Sequence, residues 1–394
     1  MKQSAKLMLV GAMAVTSAAQ AAVLETSLFY SQELETDTTY ATLSQQVVGW
    51  YYNIDHANDV FANSGVNLQL KPTAIHDVNF LTADNTQSDA RVEMLTQING
   101  GLPLETGHIA MALGRATGSI GSASGMFDSS YFTGDRVRFV GLSYELSLNS
   151  AAPYWAQVLA HEVGHTLGAA HSSENTRIET YAYPADLIHP CDSGLPSLMY
   201  PNPVNTGDSL VSISGSADCT ADGTADNVTM LNTYAPMAQA QHTPQNNQTL
   251  TLAVEEDING QQFTFKVTRS NTALSGTATV YVAGEGGGAS PLTVNFAAGE
   301  SVSDEVTLPF TQVHGLFDEQ QAFSVYAVAV SDSEMGAQLI DLSAVNTQWT
   351  QDSVENDEND GEEHVAPDNS SDDSGGGSIG WVSLLLLVLM WRRR

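Results

Sequence analysis

The sequence is poor in positive charge. Its 394 residues carry 13 lysines and arginines against 45 aspartates and glutamates, a formal charge of −32. That balance argues against nucleic acid and anionic membrane surfaces as partners, because phosphate binding needs Lys and Arg. Cysteine is nearly absent: two residues can neither staple a small disulfide scaffold nor build a cysteine metal cluster. Charged residues of both signs reach only 15%, while 42% of the chain is hydrophobic. Disorder throughout is thereby excluded, although a disordered segment is not. The length exceeds one small core and predicts about two or three domains. No internal repeat is visible.

Both ends read as transport signals rather than as fold. Lys2 and Lys6 precede an apolar stretch from Leu7 to Ala19, and Ala19-Gln20-Ala21 supplies a small-x-small cleavage pattern. Residues 1–21 are expected to be a signal peptide; the plain alternative is a buried first helix. At the other end Gly375-Gly376-Gly377-Ser378 leads into a mainly apolar run of 13 residues, Ile379 to Trp391, closed by Arg392-Arg393-Arg394. A membrane span usually needs about 20 residues, so this one is short. The arginines would stay on the cytoplasmic side. This order resembles the GlyGly-CTERM sorting tails of Gram-negative bacteria, and the resemblance covers residues 375–394. It implies export machinery, a transient inner-membrane stage, processing by a rhomboid-type sorting protease, and a final place at the cell surface or outside the cell. The membrane would be touched only through this tail, and a simple C-terminal anchor is the alternative. Without both ends the charge becomes 8 − 45 = −37.

Residues 22–240 read as one mixed α/β unit. Leu43, Val47, Trp50, Ile54, Ala57 and Phe61 fall on one helical face within Tyr40 to Ser64, and Gly65 is a stop signal. Thr26 to Tyr30, Asn67 to Leu70, His108 to Leu113 and Val137 to Leu142 read as strands. Pro153 suits the first turn of a further helix, and Gly118 to Gly125 reads as a loop or irregular edge strand. A helix near Asp226 to Ala240 closes the unit. Residues 241–248 are polar and read as a linker.

From 249 to 348 the period changes to two. Phe263, Phe265 and Val267 alternate, as do Val306, Leu308 and Phe310, with turn residues between the runs. This pattern predicts a small β-sandwich. Val254-Glu255-Glu256-Asp257, Val267-Thr268-Arg269, Gly276-Thr277-Ala278 and Phe296 to Glu300, in that order, resemble Calx-beta modules. The resemblance implies Ca2+ binding through Glu255, Glu256 or Asp257; the plain alternative is a solvated acidic turn. Residues 349–374 hold ten acidic side chains and no basic one, a self-repelling extended tether.

The chemistry concentrates in HEVGHTLGAAH, His161 to His171. Four residues apart on a helix, His161 and His165 share one face and can grip one ion. Leu159, Val163 and Leu167 fall opposite and can seat the helix in a core. Glu162 lies about 100° round from His161, beside the metal face, where a general base is needed. On an unbroken helix His171 would sit about 15 Å along the axis from His161. The chain must therefore turn between His165 and His171, and Gly168 is the residue that permits φ > 0 there. Five specified positions match by chance in on the order of 10⁻⁷ of windows. A buried helix with incidental histidines is the plain alternative.

This pattern, HExxHxxGxxH, resembles the signature of the metzincin zinc proteases. The resemblance implies a twisted mixed sheet, an active-site helix and a C-terminal subdomain. Together with the period-two segment, the fold class is α/β (α+β) followed by an all-β sandwich. It further implies one Zn2+ held by His161, His165 and His171, with Glu162 as catalytic base in the hydrolysis of protein or peptide substrates. Zinc lowers the pKa of its water to about 7, so no nucleophilic Ser or Cys is needed. Ser197-Leu198-Met199-Tyr200 fits the family's methionine turn, with Met199 as an apolar floor below the metal. Tyr200 follows Met199 directly and is assigned no role.

Cys191 and Cys219 flank that turn, and export predicts a disulfide worth roughly 3 kcal/mol. The other histidines, His56, His76, His108, His189, His242, His314 and His364, lack a partner at ligand spacing and read as structural or solvated. Two other functions compete with an endopeptidase: a surface adhesion or display protein whose protease-like domain does not cut, and a zinc hydrolase of a non-peptide bond. The presence of Glu162 favours catalysis.

Overall fold

The computed structural model describes residues 21–31, 33, 42–82, 84–101, 107–115, 121–123, 137–143, 152–171, 191–195, 197–199, 211–219, 226–241, 250–257, 262–272, 276–284, 287–309, 312, 325–331 and 340–341. Residues 1–20 of the expected signal peptide, Tyr200, and the expected tether (349–374) and tail (375–394) lie outside them. All described residues belong to one unit, Met1–Thr347. No helix among them is long and apolar enough to cross a membrane.

Strands β1 (Ala22–Tyr30), β2 (Leu68–Asp77), β3 (Ile109–Gly114), β4 (Gly121–Ala123) and β5 (Arg138–Ser143) form one sheet in the order β2-β1-β3-β5-β4. The first four in that order are parallel, and β4 runs antiparallel at the edge. β1 is buried along almost its whole length and reads AVLETSLFY, as a strand covered on both faces should. β2 continues well past the expected Leu70. Its pairing with β1 slips by one residue beside Pro72, which lets the strand carry a proline without ending.

Helix α1 (Leu43–Asn63) starts with a reciprocal cap: Thr42 N–H donates to Gln45 Oε1 at 3.0 Å, and Gln45 N–H donates to Thr42 Oγ1 at 3.3 Å. Its predicted apolar face is buried, but so are Val48, Tyr51 and Val60 beside it. The reason is that α1 is covered twice. It packs on α3 (Ala152–Thr166) and β2, and strands of the second half cover a further side, leaving Asp55 and Asp59 exposed. Sequence periodicity does not announce α2 (Gln87–Asn99). Only Ala90 and Met94 of this helix are fully buried in the small core it shares with Phe29, Ala110, Ala112 and Phe139, on the opposite face of the sheet. Helix α4 (Asn227–Gln239) is capped by Asp226, which accepts from Thr229 N–H at 2.9 Å.

The second half forms two antiparallel sheets. β6 (Leu250–Asp257), β7 (Gln262–Arg269) and β11 (Val306–Pro309) pair in the order β11-β7-β6. β8 (Gly276–Gly284), β10 (Leu292–Phe296), β12 (Val325–Val330) and β13 (Ile340–Asp341) pair in the order β10-β8-β12-β13, and β9 (Gly287–Gly288) folds back on β8. Phe263, Phe265 and Val267 are buried in β7, as the alternation predicts. β8 departs from it, being buried without a break from Val280 to Gly284. Tyr281 and Ala283 of β8, with Val328 and Val330 of β12, join the core around α1. Ser44 Oγ donates to Ala289 O at 2.6 Å, and the rings of Tyr52 and Tyr326 lie 5.1 Å apart. Arg269 stacks 4.5 Å above Phe296, linking the two sheets.

Candidate metal centre

Leu159, Val163 and Leu167 are fully buried and fix one side of α3 against the core. The other side presents His161 and His165. After Thr166 the helix closes as a Schellman turn: Ala169 N–H donates to Gly164 O at 3.0 Å, and Gly168 N–H to His165 O at 3.2 Å. Gly168 sits at φ 95°, a conformation a side chain resists. The chain is thereby redirected, and His171 returns to the other two histidines.

The three Nε2 atoms converge. Their separations are 3.1 Å for His161–His165, 3.0 Å for His165–His171 and 2.8 Å for His161–His171. The opposite ring nitrogens explain which way the lone pairs face. His161 Nδ1–H donates to Leu198 O at 2.7 Å, and His165 Nδ1–H donates to Ala169 O at 2.9 Å. Carbonyl oxygens only accept, so Nδ1 carries the hydrogen and Nε2 offers its lone pair. Converging lone pairs repel unless a cation lies among them. The separations approach the edge of a tetrahedron around zinc, roughly 3.3 Å for bonds of about 2.0–2.1 Å. Among the described residues no other group of His, Cys, Asp or Glu converges closely enough to share an ion.

Burial also favours the neutral ligand form. It pushes His161 down to about 3 and His165 down to about 4, with the neighbouring histidines adding to the effect, and it lowers His171 as well. Glu162, the next residue along α3, is buried and pushed up to about 8; the charge of Arg91 offsets part of that rise. A methyl group on Gly121 of β4 would lie 2.6 Å from Glu162 Oε1 and 2.7 Å from its Cγ. The bare backbone of the edge strand therefore forms one wall of the carboxylate's site. The next residue of that strand, Ser122, accepts from Arg91 Nε–H at 3.3 Å.

Met199 is fully buried, and a methyl group on Gly164 would lie 2.9 Å from its sulfur. The absence of a side chain between His161 and His165 is thus what lets Met199 approach α3. Cys191 and Cys219 are joined in a disulfide. Sequence reasoning missed Gly121, Gly164 and the carbonyls of Leu198 and Ala169. Carbonyls leave no trace in a sequence, but Gly164, inside the histidine spacing, could have been read as room for a neighbour.

The remaining candidates stay apart. Glu255 and Asp257 share one face of β6 while Glu256, whose carboxyl is raised by burial, lies on the other. His108 is buried between backbone groups: its Nδ1 accepts from Glu25 N–H at 2.9 Å, and its Nε2–H donates to Gln239 O at 3.1 Å. His56 packs on Tyr52 and His76 on Phe29. His189, His242, His314 and His364 lie outside the described residues.

Residues 52–172 match the family model of the reprolysin-like metallo-peptidases, family M12B. The matched stretch includes all three histidines and Glu162, and with the converging Nε2 atoms it supports a metzincin-like zinc peptidase domain. The comparison with curated proteins gives no match. Among solved structures, a chaperone–substrate complex aligns at 16% identity and a TM-score of 0.39, over 57% of this chain and 35% of that one. Wild-type OgpA from Akkermansia muciniphila aligns at 11% identity and a TM-score of 0.31, over 82% and 92%. Mirolysin, in complex with compound 9, aligns at 14% identity and a TM-score of 0.33, over 57% and 97%.

Proposed function

We propose that the chain is an exported zinc endopeptidase. The observation that carries this reading is the convergence of three Nε2 lone pairs 2.8–3.1 Å apart, two of them aimed by carbonyls behind the rings. His161, His165 and His171 would hold the metal, which when bound supplies Lewis acidity to a carbonyl and to water. Glu162 is the proton acceptor. It stands beside the ligand face of α3, screened from bulk water, and returns the proton to the departing amine. β4 is the outer strand of its sheet, so one row of its backbone groups is free of a strand partner among the described residues. An extended peptide added along that edge would lie next to Glu162, which Gly121 touches. The edge favours a peptide substrate over a compact small molecule.

The test is metal content and hydrolysis together. Purified protein should contain one zinc per chain and cleave casein or members of a peptide library, with cleavage abolished by a chelator. Glu162→Gln should keep the metal and lose roughly a hundredfold to ten-thousandfold in kcat. Well-folded protein without zinc affinity, or an active Glu162→Gln protein, would refute the assignment.

The transport reading rests on the two ends. Removal of residues 1–21 and cleavage near Gly375–Ser378 would release the folded part to the cell surface or medium. Intact-mass measurement on protein from its native host decides this, and a chain still ending at Arg394 would favour a permanent anchor.

A further inference from the structure

Segment 211–219 reaches two of the three histidines by separate routes. In the first, Leu198 N–H donates to Ser212 O at 2.9 Å, and Leu198 O accepts from His161 Nδ1–H at 2.7 Å. In the second, Ser214 Oγ accepts from Asn227 N–H at 3.1 Å. The fully buried Asn227 side chain then grips the residue before His171. Its Oδ1 accepts from Ala170 N–H at 3.2 Å, and its Nδ2–H points back to Ala170 O at 3.5 Å. The segment itself is tied down at several points. Cys219 is bridged to Cys191, Asp192 N–H donates to Asp218 O at 2.7 Å, and Ser212 Oγ donates to Asp218 Oδ2 at 3.0 Å. Ile213 N–H donates to Ser64 Oγ, at the end of α1, at 3.1 Å.

We infer that Asn227 and this disulfide-anchored strap are the positioning elements of the metal centre; the inference rests on the zinc reading above. The three ligands differ in what holds them. His161 and His165 stand on a helix, and His165 is further braced by its own turn through Ala169 O. His171 lies past that turn, where no helix supports it, and Asn227 clamps the peptide unit beside it. Through Ser212 O the strap holds Leu198, whose carbonyl is the partner of His161, and two residues later Ser214 Oγ holds Asn227. It therefore sets the spacing between the first and third ligands without contributing a ligand. Such outer-shell supports typically change metal affinity by about 10–100-fold.

The experiment compares the zinc affinity of wild-type, Asn227→Ala, Ser214→Ala and Cys191→Ser/Cys219→Ser proteins by competition with a chelator. Each is also loaded with cobalt, and its visible absorption is recorded. Val267→Ala, in the core of β7, serves as a destabilised control. Asn227→Ala should weaken zinc at least about tenfold and change the cobalt band, with smaller losses for the other two. Val267→Ala should keep wild-type affinity and spectrum. Wild-type affinity and an unchanged cobalt band in folded Asn227→Ala or Ser214→Ala protein would overturn the inference. So would an equal loss in Val267→Ala at the same loss of thermal stability. A wild-type protein that fails to bind zinc would sink the zinc reading itself, a result distinct from either.

Discussion

The two halves of the described chain bury different kinds of side chain. Before residue 241 the interior holds Glu25, His108, Arg138, Gln157, His161, Glu162 and Asn227, together with many hydroxyls; after residue 250 its buried polar residues are Arg269 and Ser303. Burying a polar group costs free energy unless it is paired, so the first half tolerates that cost at many places. What it gains is direction, because a hydrogen bond fixes an angle where apolar contact fixes only proximity. The histidine rings show this: each of two is aimed by one carbonyl. The second half is held by non-directional burial. Through β8 and β12 it covers α1, and α1 backs the helix that carries the site. The contrast places directional geometry in the first half, while the second adds apolar cover to a core that both share.

The strongest way to break that division is to damage the second half and look for a loss of chemistry. Phe265 is fully buried in β7. Phe265→Ala should cost about 3–5 kcal/mol in a urea titration, from lost transfer energy and a residual cavity. At low temperature the folded protein should still bind one zinc with unchanged affinity and cleave at the wild-type rate. Weakened zinc binding in the folded fraction would mean that the β half shapes the site.

The converse test leaves stability alone. Gly121→Ala places a methyl group where the Glu162 carboxyl now lies, 2.6 Å from Oε1. The nearest atoms it meets all belong to the Glu162 side chain and none to backbone, so the carboxylate is displaced rather than the strand. The expected result is a fall of roughly a hundredfold in kcat, about 3 kcal/mol in the barrier, with little change in KM, zinc content or thermal midpoint. Undiminished kcat would remove Gly121 from the site and question the position of Glu162.

What could be read from the sequence follows the same division. His161, Glu162, His165 and Gly168 form a pattern because neighbours on one helix meet through fixed spacing. The turn at Gly168 could be deduced because His171 is out of reach without it. The long helix α1 was visible as one apolar face, but its second buried face was not, since its partners Tyr281 and Val328 lie more than two hundred residues away. Helix α2 was missed because so little of it is buried, although Thr86 and Asp89 form a cap that a closer reading of turn chemistry would have noticed. Gly121 meets Glu162 only through the sheet order, and Asn227 meets Ala170 only through the tertiary fold. Neither relation is local, and a lone chain gives no signal for them.

The smallest effect is a count of protons, and it tests whether the interior around the histidines is as dry as the contrast requires. Burial holds His161 near 3 and His165 near 4, so at about pH 6 both are already neutral and zinc displaces no proton from them. Two ordinary histidines at that pH would be about three-quarters protonated and release roughly 1.5 protons together. Glu162 shifts the other way. Raised to about 8, it is protonated at pH 6 in metal-free protein, and a nearby dication favours the carboxylate, so its proton leaves on binding. The same shifts govern metal-free stability. The depressed histidines support the fold above their ordinary range, and that support is lost as pH falls toward 4 and then 3. The raised Glu162 supports it below the ordinary carboxylate range, and that support is lost as pH rises through about 8. In Glu162→Gln the carboxyl proton does not exist. Calorimetric titration with zinc at about pH 6, in buffers of different ionisation enthalpy, should therefore show wild type releasing about one proton more than the variant. Equal counts would mean that zinc takes no proton from Glu162, so that either the carboxyl is already ionised in metal-free protein or the dication fails to ionise it, and each outcome breaks the coupling between its burial and the metal.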